Sequence, residues 1–117
     1  MDDKTYELTL LYDFYGELLT ETQREYFEYY YSEDLSLREI ADLKGISPQG
    51  VRAVLLRTEA LLREYEEKTG AAKRFTKRDR EIRALRERAG RLIDLTEGDA
   101  RILAEEILTG LDKLNGD

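Results

Sequence analysis

The sequence predicts an all-α fold: a helical bundle built on a helix-turn-helix, continued by C-terminal helices. Three observations predict it. Apolar residues recur at helical spacing along most of the 117 residues. Helix starts are marked by two capping boxes and a Ser-Pro pair. Charged residues make up 38% of the chain and hydrophobic ones 41%, with a single proline, a balance typical of helix-rich folded chains rather than disordered ones.

The first helix is expected over about residues 3–16. Leu8, Leu11, Tyr12, Tyr15, Leu18 and Leu19 form its apolar face, and Gly16 weakens its end. Thr20-Glu21-Thr22-Gln23 is a capping box that opens a second helix reaching Tyr31 or Ser32, with Tyr26, Phe27 and Tyr30 on one side. Ser36-Leu37-Arg38-Glu39 is another box and opens a third helix ending near Lys44, where Gly45 suits a left-handed cap. Ser47-Pro48 starts a fourth helix to about Lys68, with an inward stripe of Val51, Val54, Leu55, Thr58, Leu61, Leu62 and Tyr65. Thr69-Gly70-Ala71-Ala72 is a linker candidate. Thr76 then caps a helix to about Leu95, Thr96-Glu97-Gly98-Asp99 punctuates, and a last helix carries Leu103, Ile107, Leu111 and Leu114. Two domains follow: a helix-turn-helix head, 1–70, and a C-terminal helical extension, 71–117, containing a basic helix.

Residues 37–55 meet the steric demands of a helix-turn-helix. A steep, close helix crossing needs a small residue, Ala41, and four residues later one that tolerates positive φ, Gly45. Ile46 is expected to be buried in the turn, and Ile40, Val51 and Val54 to pin the two helices. On the outward side, Ser47 and the first amides of the fourth helix could hold a phosphate, and Gln49 could read a base edge. Arg52 could take a guanine or a phosphate, while Arg38, Lys44 and Arg57 could contact the backbone. Pro48, Gly50 and Ala53 offer little readout chemistry, and Glu33, Asp34, Glu39 and Asp42 repel phosphates. A helix-turn-helix reused as a protein-binding scaffold would share the pattern.

Composition narrows the chemistry. With no cysteine and no histidine, thiol nucleophiles, thiolate metal sites and most hydrolytic triads are excluded. There is no glycine-rich phosphate loop, so an enzyme is not expected, nor a cofactor or metal. Glu64, Glu66 and Glu67 could bind a cation but read as a solvated charge run. The acidic start, Met1-Asp2-Asp3, leads into no signal-like or membrane-spanning apolar run, so a cytoplasmic location is expected. The net charge of −7 is uneven: residues 1–70 sum to −8, while residues 73–91 sum to +6. Nucleic-acid contact would have to use local patches.

The runs Leu11-Tyr12-Asp13-Phe14-Tyr15, Leu18-Leu19-Thr20, Tyr29-Tyr30-Tyr31 through Ala41, and Arg57-Thr58-Glu59-Ala60-Leu61-Leu62 resemble the bacterial YlxM family over roughly residues 5–68. The resemblance implies a head similar to region 4 of sigma factors, without a wing. It also implies a regulatory role in the signal recognition particle pathway, with particle RNA or particle proteins as partners. Two features depart from the family. Its recognition helices tend to begin Ser-Arg-Gln-Ala-Val-Tyr, whereas Ser47-Pro48-Gln49-Gly50-Val51-Arg52 loses one basic residue and gains another. The tail is also unusually basic. A DNA-binding transcription regulator with helix 48–68 in the major groove, and a protein–protein adaptor, are the alternative functions.

The basic segment, led by Lys73, Arg74, Lys77, Arg78 and Arg80, has three readings. It could grip RNA phosphates, dock on the acidic head of the same or a second chain, or be a solvated helix paired locally with Asp79, Glu81 and Glu87. The second of these, with an apolar stripe on each tail helix, points to a homodimer. The tyrosines and phenylalanines of residues 12–31 could stack on unpaired bases, but read mainly as helix-packing residues.

Overall fold

The computed structural model describes residues 2–115, Asn115 by its backbone alone, and is all-α. Among the described residues there are six α-helices and no strand: α1 (Asp3–Tyr15), α2 (Glu21–Phe27), α3 (Leu37–Lys44), α4 (Pro48–Thr69), α5 (Ala71–Leu95) and α6 (Gly98–Asn115). A 3-10 turn, Gly16–Leu18, follows α1, and a π-turn, Glu28–Ser32, continues α2. The chain forms two compact units, one through Ala72 and one from Lys73 onward.

Local chemistry sets most helix starts. Asp2 caps α1 by accepting from the Thr5 amide at 2.7 Å. Both capping boxes form reciprocally: Thr20 Oγ1 accepts from Gln23 N and Gln23 Oε1 from Thr20 N, and Ser36 and Glu39 do the same. Ser47 Oγ accepts from Gly50 N at 3.0 Å, with Pro48 at the first helical position. Helix α5 corrects the sequence expectation. It begins at Ala71, directly after Gly70 in the left-handed region, and Thr76 lies inside it. Its opening amides are satisfied from the last turn of α4: Ala71 N donates to Thr69 Oγ1 and Ala72 N to Glu66 Oε1. A linker-like composition thereby becomes helix.

The first unit has two apolar clusters, both resting on α4. One joins Leu8, Leu11, Tyr15, Leu19, Phe27, Leu62 and Ala72; the other joins Tyr26, Ile40, Ala41, Val51 and Leu55. The π-turn serves both, sending Tyr31 to the first and Tyr29 to the second. Turns that depart from 3.6 residues also explain two exposed side chains expected inside. The 3-10 turn carries Leu18 outward, and the π-turn carries Tyr30 to the surface while its neighbours stay packed.

Gly45 has φ +67°, and its amide donates back to Ala41 O. A methyl group there would meet nothing within 4 Å, so the only penalty for a side chain is the left-handed backbone. Gly45→Ala is therefore expected to lower stability by about 1–2 kcal/mol, seen as a lower denaturant midpoint. Gly45→Asn should cost less; equal costs for the two would point to a steric origin instead.

Candidate nucleic-acid interface

The turn between α3 and α4 has the geometry a helix-turn-helix requires. Ala41 and Ile40 are buried at the crossing, Val51 and Leu55 face them from α4, and Ile46 N donates to Ala41 O at 3.2 Å. Ile46 is not buried as expected. It is 40% exposed, because the turn runs at the surface; its Cδ1 lies 3.4 Å from where a Cβ on Gly50 would sit. Glycine at 50 thus leaves room for Ile46 to fold over the start of α4.

With Val51, Leu55, Thr58 and Leu62 turned inward, the 100° step of the helix puts Gln49, Arg52, Ala53, Leu56 and Arg57 on the outer side of α4, and all five are exposed. Arg38 is exposed on the first turn of α3. Ser47 is exposed, but its hydroxyl already accepts from Gly50 N. The α4 N-terminus is a modest anion seat: Pro48 has no N–H, Gly50 N goes to Ser47 Oγ and Val51 N to Ser47 O, which leaves the Gln49 amide.

Lys44 is placed differently from the other cations. Its ammonium is ion-paired with Glu25 of α2 and lies 5.8 Å from the Tyr29 ring centroid. The hydrogen bond to the Glu25 carboxylate, above all, raises its pKa over the usual lysine range. Lys44 thus acts as a strut between α3 and α2. Glu39 is exposed too, but its carboxylate receives the Ser36 amide, which holds its pKa below the usual value and keeps it anionic beside Arg38.

Two residues of this region were not singled out from sequence. Leu56 is 48% exposed, one turn beyond Arg52 and two turns beyond Gln49, a spacing that does place it on the outer ridge. Glu59 is buried, and it sits one turn after Leu55 on the inward stripe. Its carboxylate accepts from Tyr31 Oη at 2.8 Å and faces Lys4 Nζ at 3.8 Å. Burial and then Glu59 push the Tyr31 hydroxyl pKa upward. These groups line a small hollow of about 150 Å³ that reaches Arg52 and Leu56 at its rim.

The basic set Lys73, Arg74, Lys77, Arg78 and Arg80 is exposed along the first turns of α5, with Lys73, Lys77 and Arg80 in one line. Further along, Arg83 pairs with Asp79 at 2.8 Å. Glu66, expected in a solvated acidic run, instead accepts from Tyr15 Oη at 2.5 Å and from Ala72 N at 3.0 Å. Among the described residues no group of acidic side chains is arranged to hold a metal ion. None of the described helices is long and apolar enough to cross a membrane.

A close crossing at Ala41, a left-handed glycine and a capped second helix with an exposed polar ridge define a helix-turn-helix protein. Residues 2–98 match the family described as "Putative helix-turn-helix protein, YlxM / p13 like", UPF0122, and the chain belongs to that family. A UPF0122 protein of Thermoanaerobacter sp. (strain X514) is 46% identical over 124 residues, covering 98% of this chain and 99% of the relative. One from Halalkalibacterium halodurans is 40% identical over 115 residues, covering 98% and 97%. One from Shouchella clausii is 51% identical over 78 residues, 67% of this chain and 72% of the relative.

Proposed function

We propose that this chain is a non-catalytic regulatory protein of the signal recognition particle pathway, acting in the cytoplasm and binding the particle's RNA through its helix-turn-helix. The observation that carries the nucleic-acid reading is the outer ridge of α4, where Gln49, Arg52 and Arg57 stand exposed on a helix pinned by Val51 and Leu55. Arg38 adds a third arginine on α3, and Ser47 fixes the angle of entry. The particle context rests on the family likeness. The absence of His and Cys from the sequence supports a binding role over a catalytic one.

Duplex DNA is the second ligand this ridge suits, because a capped second helix is the element that enters a major groove. A protein-adaptor role draws support from Leu43, 62% exposed beside Glu39 and Asp42, and from Leu56, 48% exposed on α4. Titrating binding against salt separates the three. For particle RNA, three arginine contacts should make log K fall with log salt at a slope of about −2 to −3. Arg52→Ala with Arg57→Ala should weaken binding roughly tenfold and flatten that slope by about one to two. Sequence-dependent binding to duplex DNA with none to RNA would instead identify a transcription regulator. No binding to either near physiological salt would leave the adaptor.

A further inference from the structure

The second unit leaves a continuous apolar surface uncovered. Its well-buried hydrophobic residues are Ile82, Ala89 and Ala104. Leu85 and Leu92 on α5, and Leu103, Ile107 and Leu114 on α6, are each 45–69% exposed. Only Thr96 and Glu97 join the two helices, and Arg86 Nε meets Asp112 Oδ1 at 2.6 Å, so α6 runs back along α5. With the buried line of each helix turned toward the other, the 100° step puts Arg86 and Asp112 on one side of this pair. Leu85, Leu92, Leu103, Ile107 and Leu114 then fall together on the opposite side.

We propose that this face seats a second copy of the chain, forming a two-fold dimer in which α5 of each protomer lies over α6 of its partner. Charge selects the occupant. Residues 71–95 sum to +5 and residues 98–115 to −2. Arg88, seven residues before the end of α5, flanks the leucines, and Glu106, eight residues after the start of α6, flanks the apolar line at a similar height, both exposed. A face that is basic along one helix and acidic along the other is complementary to itself under a two-fold rotation, which is what an isologous interface requires. The area also suits a dimer. The five aliphatic side chains expose roughly 500 Å², more than a scattered surface leucine explains, and their charged flanks bring the face toward the ~800 Å² per partner of a standard interface. A unit of this size is also small enough to draw stability from association.

The test is the mass of the full chain by light scattering after size exclusion, at about 100 μM and after dilution to about 1 μM. Wild type should run at twice 13.7 kDa at the higher concentration. Leu92→Glu with Ile107→Glu, both at exposed positions, should run at 13.7 kDa with helicity retained. Should that pair disturb folding, the charges give an independent arm. Arg88→Glu, present at both symmetry-related contacts, should weaken dimerisation at least tenfold, and adding Glu106→Arg to the same chain should restore it. A monomeric wild type at the higher concentration overturns the proposal. So does a dimer that survives both the glutamate pair and the charge reversal. Loss without rescue overturns the pairing of α5 on α6.

Discussion

Phe27→Ala is expected to remove about 3–5 kcal/mol of stability, a large part of what a small folded unit has. The residue is 1% exposed and sandwiched between two tyrosines. The Tyr12 ring stacks on it at 4.4 Å and 11°, and the Tyr31 ring approaches at 4.5 Å. Truncation opens a void bounded by side chains from α1, the π-turn and α4, which their backbones cannot close without moving. Urea denaturation followed by far-ultraviolet circular dichroism would measure the loss. Binding through α4 should fall only to the extent that the unfolded fraction rises. A cost below about 1.5 kcal/mol would mean the aromatic stack is looser than a 4.4 Å ring spacing requires.

Tyr31→Phe should cost about 2–3 kcal/mol at neutral pH, because it strips a hydrogen bond from a buried carboxylate. Among the described residues Glu59 would keep Lys4, at 3.8 Å and largely in solvent. Adding Glu59→Leu to Tyr31→Phe should recover much of the loss, since removing both polar groups leaves nothing unsatisfied. The pH dependence has a definite sign. Burial and Glu59 raise the folded-state pKa of Tyr31 above its usual value of 10.0. The stabilisation from the neutral hydroxyl is therefore complete below about pH 10 and is lost as pH rises toward the folded-state value. Thermal midpoints of wild type and Tyr31→Phe should accordingly converge above pH 10. Parallel curves up to pH 12 would contradict the contact.

The parts of this fold legible in sequence were those set by local chemistry. Thr20 with Gln23, Ser36 with Glu39, Ser47 with Pro48 and the left-handed Gly45 each act within four residues, and each stands where its pattern placed it. Helical spacing gives the wrong side-chain direction where the backbone leaves the 3.6-residue period. Leu18 and Tyr30 follow a 3-10 turn and a π-turn, which periodicity does not register. The start of α5 was hidden because Glu66 and Thr69, which satisfy its first amides, belong to the preceding helix. At the candidate interface, the outward positions of Gln49, Arg52 and Arg57 followed from spacing. The capture of Lys44 by Glu25, nineteen positions earlier in the chain, is a product of tertiary packing.

The π-turn at Glu28–Ser32 also bears on which changes of chain length the protein can absorb. Its widened ring closes through Glu33 N to Glu28 O, and the five residues distribute consecutive tyrosines between two separate cores and the surface. Deleting any one of them would restore ordinary α-geometry and rotate all that follows by about 100°. Tyr31 would leave Glu59, and Leu35 and Leu37 would miss the cluster they close. Drift in this stretch should therefore proceed by replacement rather than by gaps, whereas the Thr96–Glu97 connection, with both residues outside any helix, has room to lengthen.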